Sequence, residues 1–198
     1  MKKLNNYIQE KLNISTVHTC KPKDKNELKD IIEKRLNKDK DANLNDIDVS
    51  GITDMSWLFY RLDPHNIDLS EWDVSKVTDM DGMFYECEKF NSDISEWDVS
   101  NVEIMHYMFF YCKNFNSDLS DWNVSKVENM NYMFYNCNNF NSNLSNWDVS
   151  RVKNMGSMFF NCSVFNCDLN NWDVSNVKNM FYMFDECTSL KNKPNWYK

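Results

Sequence analysis

Apolar residues recur with a period of 25 residues over most of this chain. Each unit opens on tryptophan and valine, continues with a second valine and two methionines, and then places Phe, Cys, Phe and Leu at fixed intervals. The period is marked by Trp72, Trp97, Trp122, Trp147 and Trp172, with Ile47 and Tyr197 holding the same register at the two ends. We therefore divide the chain into repeats 1 to 6, at 47–71, 72–96, 97–121, 122–146, 147–171 and 172–196.

A unit of this length cannot bury its apolar side chains alone, so we expect the repeats to stack. Four of the apolar residues lie at intervals of three and four, which is typical of one helix face: Met80, Met83, Phe84 and Cys87. A serine in the preceding V-S-x-V stretch could cap that helix. The following F-N-S-D-L-S-E-W segment approximates strand alternation. The pattern predicts a leucine-rich-repeat-like α/β solenoid with one short helix and one or two short strands per repeat.

Residues 1–46 are predicted to form an N-terminal helical cap over repeat 1. Asp24 and Glu27 have the spacing of a capping box, and an apolar stripe follows them at Leu28, Ile31, Ile32 and Leu36. These residues predict a helix over about 24–38, after an extended "TVHTCKP" segment. A shorter stripe at Leu4, Ile8 and Leu12 suggests another helix. The sequence leaves open whether the basic helix is instead a docking element.

At the other end the pattern decays, because Leu190 replaces Phe and Pro194 replaces Leu. Proline would block a continuing edge strand and so guards against end-to-end stacking. We expect a monomer, with an end-to-end dimer through the C-terminal repeat as the alternative.

The repeat W-D-V-S-x-V-x-x-M-x-x-M-F-x-x-C-x-x-F-N resembles the BspA-like leucine-rich repeats, specifically the 25-residue class of mycoplasma surface lipoproteins. The resemblance covers 47–198, and "KPKDKNELKDIIEKRL" with "NLNDIDVSGITDMSWLF" resembles the usual lead-in to the first repeat. It implies a protein-binding or adhesive surface repeat without enzyme activity.

Charge narrows the choice of partners. The chain carries a formal net charge of −8, with +3 on residues 1–46 and −11 on residues 47–198. The repeats would repel nucleic acid and anionic membrane surfaces. The start lacks the apolar run of a secretory signal, and no window has the length of a membrane span. We expect a cytoplasmic protein, or a surface protein if a leader was removed.

Two polar columns could carry metal chemistry. The cysteines at Cys87, Cys112, Cys137, Cys162 and Cys187 lack metal-ligand spacing, so buried reduced thiols are favoured over zinc, for which Cys162 and Cys167 give a weak signal. The two Asp columns accept Asn at one repeat each, which favours turn capping over calcium. Their members are Asp73, Asp98, Asn123, Asp148 and Asp173, and Asp68, Asp93, Asp118, Asn143 and Asp168.

Catalytic motifs are lacking. His18, His65 and His106 have no carboxylate at a motif distance, and no Gly-rich phosphate loop or hydrolase signature occurs. The N-x-S sequons at Asn13, Asn123, Asn143 and Asn161 are expected by chance in an Asn-rich chain. We predict no enzyme activity, no metal and no cofactor.

The sharpest functional signal is a double column of aromatic residues. Counting from the first Met of each repeat as position 0, positions +2 and +5 lie opposite the core on an ideal helix. Nine of these twelve positions are aromatic. We name them the aromatic ridge: Trp57, Tyr60, Tyr85, Tyr107, Phe110, Tyr132, Tyr135, Phe160 and Tyr182. An exposed ridge would suit a protein interface, whereas rings stacked repeat on repeat would only stiffen the protein.

These signals predict a non-catalytic protein-protein interaction module, in one version a small inhibitor or immunity-type binding protein. The alternative is a surface adhesin that binds host or matrix proteins.

Overall fold

The computed structural model describes residues 17–198, so the stripe at Leu4, Ile8 and Leu12 and the sequon at Asn13 lie outside the described part. Within it, helix α1 (Lys25–Leu36) is the one α-helix. Asp24 accepts the N–H of Glu27 at 3.0 Å, and the Glu27 carboxylate accepts the N–H of Lys23 at 2.9 Å. The predicted helix is thus confirmed, although it ends two residues early. In a standard capping box the Glu27 carboxylate would accept the N–H of the N-cap residue Asp24, whereas here it accepts that of Lys23.

The apolar stripe of α1 lies against the repeats. Leu28, Ile32 and Leu36 are buried in the same core cluster as the repeat side chains. Lys25 donates from Nζ to an Asp54 carboxylate oxygen at 2.6 Å and to the Ser56 hydroxyl at 2.7 Å. At the other end of the helix the Arg35 guanidinium bonds the Asp46 carboxylate and lowers the pKa of Asp46 to about 2.

The chain before and after α1 is already paired with the repeats. Cys20 forms a parallel bridge with Ile47, and Asn43 forms one with Asp68. The carbonyl of Leu44 accepts the indole N–H of Trp72, the role that the Leu column plays for later tryptophans. The periodic packing therefore begins a few residues before 47.

The predicted helix in each repeat is wrong. Residues at positions +1 to +6 form consecutive turns. The strand predicted in the F-N-S-D-L-S-E-W segment is also wrong, because single-residue parallel bridges form instead at position −1. These bridges join Asp54, Asp79, Ile104, Asn129, Asn154 and Asn179 in series.

Backbone hydrogen bonds show what replaces the helix. In repeat 2 the N–H groups at positions 0, +2, +4 and +6 donate to carbonyls of repeat 3 at 2.8–3.0 Å. Those at +3, +5 and +7 donate three residues back, and the N–H of Asp81 donates to the Asp79 side chain. Every N–H from Met80 to Cys87 thus has an acceptor. The structure is a stack in which each repeat is hydrogen-bonded in parallel register to the next.

A left-handed backbone at two positions per repeat is what prevents the helix. Position +2 has φ between 53° and 58°, and position +6 has φ between 54° and 62°. An L-residue in this region reverses the chain direction, so the i to i−4 bonds of an α-helix cannot form. The helical spacing of Met, Met, Phe and Cys arises instead from turns that return these side chains to one interior.

The interior consists of side-chain columns that run through the stack. The Phe rings at position +4 lie on one another with centroids 5.1–5.7 Å apart. The buried tryptophans donate their indole N–H to a carbonyl 28 residues back, as Trp122 does to Ile94 at 3.1 Å. This contact satisfies a polar group that burial would otherwise leave without a partner.

Repeat 6 ends one residue out of register. The sequence predicts Tyr197 in the tryptophan column, but Trp196 stacks on Trp172 with centroids 6.3 Å apart and donates to the Leu169 carbonyl at 2.8 Å. Tyr197 instead packs edge-on against Phe184. The indole takes the position because only it combines the flat ring with an N–H donor.

The prediction that both Asp columns cap turns is confirmed. Each column member accepts the backbone N–H two residues ahead at 2.9–3.2 Å, including Asn123 and Asn143. Serines of the V-S-x-V stretch join these turns, since Ser75 donates to Asp73 rather than capping a helix.

Candidate functional site

The aromatic ridge follows the outer side of the turns. Eight of its residues are half-buried, and Tyr182, at the end of the column, is 65% exposed. The neighbouring residues at positions 0, +3, +4 and +7 point inward and are buried in repeats 1 to 5, apart from Leu62 at +7 of repeat 1. Although no helix is present, positions +2 and +5 therefore form a surface with the rings partly in solvent.

The column at position +5 is a regular stack over three intervals. Ring centroids are 4.6 Å apart between Tyr85 and Phe110, 4.8 Å between Phe110 and Tyr135, and 4.7 Å between Tyr135 and Phe160. The planes of these pairs differ by at most 16°. The spacing equals that of neighbouring β-strands, so the rings cover one another's faces and turn their edges outward.

The column at position +2 is interrupted by Gly82 and Ser157. A Cβ at Gly82 would lie 2.7 Å from the Trp57 indole, which occupies the space that a side chain would need. Trp57 thereby reaches Tyr107 of repeat 3, with centroids 6.4 Å apart.

Around Gly82 four rings meet one another at an angle rather than face to face. We name Trp57, Tyr60, Tyr85 and Tyr107 the tilted cluster. Their planes meet at 45° to 80°, with centroids 5.3–6.4 Å apart. Tyr85 and Tyr107 also stack on Phe110 and Tyr132. Trp57 and Tyr60 have no stacked neighbour among the described residues, and the Arg61 guanidinium lies 5.1 Å from the Tyr60 centroid.

The backbone of the ridge is strained where it carries large rings. Trp57, Tyr107, Tyr132 and Tyr182 have φ of 56° to 58°, a region in which an L-residue costs roughly 1–2 kcal/mol. Glycine fills the same position in repeat 2 without this cost. Large side chains held in a strained conformation are a reason to look for function at that place.

Charge differs between the two halves of the ridge. Asp54, Asp79, Asp81 and Glu86 flank it in repeats 1 and 2. In repeats 4 and 5 the corresponding positions hold asparagine and glycine: Asn129, Asn131, Asn136, Asn154, Gly156 and Asn161. The negative charge of the repeats therefore lies beside the ridge in repeats 1 and 2, and again in repeat 6 at Asp185 and Glu186.

Two residues that contact rings of the aromatic ridge were not predicted from the sequence. His106 lies with its ring centroid 3.8 Å from that of Tyr107 and its Nδ1 3.2 Å from an Asp81 carboxylate oxygen. Tyr111, at position +6, contacts Phe110 and Tyr135. Both residues occupy columns of variable composition, so the period gave no signal for them.

The cysteine column is buried, as the sequence predicts. Each ladder thiol donates to a Phe carbonyl 28 residues back at 2.8–3.0 Å. Burial raises the pKa of all five, that of Cys187 to about 11. Cys167 instead accepts the N–H of Leu144, the role that serine plays in earlier repeats.

We expect thiol labelling of the native protein to separate the seven cysteines. Cys20 and Cys167 are partly exposed and should react with a maleimide at once, while the five ladder thiols react only after denaturant is added. Mass spectrometry of tryptic peptides after timed labelling gives the rate at each site. Fast native labelling of Cys137 would show that the core opens.

No group of three or more His, Cys, Asp or Glu residues in 17–198 is placed to hold a metal ion. Within the same range no helix is long and apolar enough to cross a membrane.

The stacked 25-residue units define a tandem-repeat protein. A family model described as "Mycoplasma protein of unknown function, DUF285" matches residues 26–138 and again residues 114–198, and the chain belongs to this family. Comparison with curated proteins and with solved structures gave no match.

Proposed function

We propose that this protein is a non-catalytic protein-interaction module that binds its partner through the aromatic ridge. The observation that carries the proposal is the row of large rings held half-exposed on a left-handed backbone. Tyrosine and tryptophan are enriched at protein interfaces, because each offers a large rigid surface with a polar tip. A ridge that only stiffened the stack would not need rings at the strained positions, since glycine and serine are accommodated there.

We further propose that the stack is a BspA-like leucine-rich solenoid and that residues 1–46 cap it. The parallel bonding of one repeat to the next supports the first part. The burial of Leu28, Ile32 and Leu36 against the first repeats supports the second. Basic groups of α1 are engaged by Asp54 and Asp46, which favours a cap over a docking element.

We propose that the two halves of the ridge contribute differently to partner binding. Phe110 and Tyr135 are stacked on both sides by neighbouring rings of their column, so these rings present mainly their edges. In the tilted cluster Trp57 and Tyr60 have no stacked neighbour among residues 17–198, and we place the centre of the interface there. Such a centre resembles the small groups of residues that dominate most protein interfaces.

Capture from lysate of the source cells tests the proposal. The variant Trp57→Ser/Tyr85→Ser/Tyr107→Ser should lose a stoichiometric partner that the wild type retains. Serine is suited to the test, since Ser157 occupies position +2 in repeat 5. The matched control is Val164→Ser/Phe181→Ser, which removes exposed apolar side chains outside the ridge. Equal recovery with all three proteins would refute the proposal.

A further inference from the structure

The tilted cluster shares its end of the ridge with three carboxylates. Asp79 and Asp81 stand at positions −1 and +1 of repeat 2, and Asp79 forms a parallel bridge with Asp54. Their negative charges act on one another, and that of Asp81 also acts on the Tyr107 hydroxyl. The carboxylates and the rings therefore form one continuous surface.

Cations within the described part of the chain balance this charge only in part, through Lys25. Lys25 pairs with Asp54 at 2.6 Å. No lysine or arginine of residues 17–198 lies within ion-pair distance of Asp79 or Asp81. One Asp81 oxygen is buried without a hydrogen bond, although the His106 Nδ1 lies 3.2 Å from it. A buried carboxylate oxygen without a donor is an unsatisfied group.

The ionised carboxylate of Asp79 destabilises the folded protein. Burial, followed by the charges of Asp54 and Asp81, raises its pKa despite the hydrogen bond from the Asp81 N–H. A raised carboxyl pKa means that the ionised form, present at neutral pH, is less stable in the folded protein than in the unfolded chain. Repeats 4 to 6 have asparagine at this position, where Asn129 and Asn154 make the same turn bond without a charge.

Trp57 supplies an independent sign of a missing partner. The other six tryptophans each donate their indole N–H to a backbone carbonyl. Trp57 has no acceptor among residues 17–198, and its ring is half-exposed. A ligand that carries a carbonyl could accept this bond.

We propose that the tilted cluster, together with Asp79 and Asp81, binds a basic, extended peptide segment of a partner protein. A lysine or arginine side chain lies against the rings and pairs with the two carboxylates, and a peptide carbonyl accepts the Trp57 indole N–H. The Arg61 guanidinium over Tyr60 is the intramolecular example of the same contact. This inference rests on the proposed function and names the chemistry of the partner.

The test uses three synthetic octapeptides that alternate serine with arginine, glutamine or glutamate. Binding is followed by calorimetry and by the indole N–H resonances of the ¹⁵N-labelled protein. The arginine peptide should bind about tenfold more tightly than the glutamine peptide, and the glutamate peptide should not bind. Addition of the arginine peptide should shift the Trp57 indole resonance and leave the resonances of the six bonded indoles unchanged.

Two double variants distinguish binding at this site from attraction of the peptide to the negative charge of the whole protein. Asp79→Asn/Asp81→Asn should weaken binding of the arginine peptide about tenfold. Glu96→Gln/Asp121→Asn removes the same charge from exposed positions elsewhere and should leave the affinity unchanged. Asp79→Asn alone should raise the Tm at pH 7, and the gain should disappear below pH ~4, where the carboxyl is protonated in both states. The stability readout shows that lost binding does not come from unfolding.

Equal affinity of both double variants would overturn the inference, because binding would then follow net charge alone. A peptide-induced shift at other indoles in place of Trp57 would also overturn it. The proposed function can fail or stand separately. Suppose that the native partner is lost in the three-serine variant but retained by Asp79→Asn/Asp81→Asn. In that case the ridge binds a partner, and the inference that the partner contributes a basic segment is wrong.

Discussion

Deleting residues 122–146 is expected to give a protein that is one repeat shorter and still folds cooperatively. The deletion removes one full period, so Trp147 takes the place of Trp122 and finds the Ile94 carbonyl for its indole N–H. The N–H of Met105, which donates to Asn129, finds Asn154 instead. Every interior column stays in register, because the deletion equals one full period and the same side chains recur in the next repeat. The Tm should fall, since one interface of several large buried side chains is lost.

Deleting residues 122–134 is the matched control and should prevent folding. It joins Asp121 to Tyr135, so the chain enters repeat 5 half a period out of phase. Apolar residues of the remaining segment then meet turn positions, and the N–H groups that should reach the next repeat face no carbonyl. Circular dichroism and thermal melting of both proteins give the comparison. A broad, non-cooperative melt of the 25-residue deletion would contradict the stacked arrangement.

The period and the identity of the interior side chains were accessible from the sequence, while the backbone conformation was not. Met80, Met83, Phe84 and Cys87 are buried as predicted. Their spacing equally fits a helix face and a set of turns, because both return side chains to one side at intervals of three and four. Two facts decide against the helix. The segment is too short to be helical without strong caps, and the bonds that stabilise it come from the adjacent repeat.

The candidate site depends on details that no periodic pattern contains. Positions +2 and +5 follow from the repeat, but the tilt of Trp57 over Gly82 comes from a single substitution in repeat 2. The charge on Asp79 matters because of its burial and its distance from Asp54, which a sequence column does not give. Likewise, the lack of an acceptor for the Trp57 indole N–H within residues 17–198 stands out only because the other six indoles are bonded.

Replacing Phe134 by alanine should cost about 3–5 kcal/mol of the free energy of unfolding. The ring is fully buried and contacts four others: Phe109, Phe140, Trp147 and Phe159. Its removal leaves a cavity between repeats, and rigid columns above and below cannot close it. The loss is a large share of the stability of an ordinary domain, which is 5–15 kcal/mol. Urea denaturation measures it, with an unchanged slope as the check on two-state behaviour.

Tyr135→Ala, one residue further on, is the matched comparison. Its ring stacks on Phe110 and Phe160 but lies half in solvent, so its removal should cost only about 1 kcal/mol. A loss as large as that for Phe134 would mean that the stacked half of the ridge is structural. The proposed interface would then contract to the tilted cluster. A small loss leaves the stacked half free to contact a partner, because its rings are then not needed to hold the stack together.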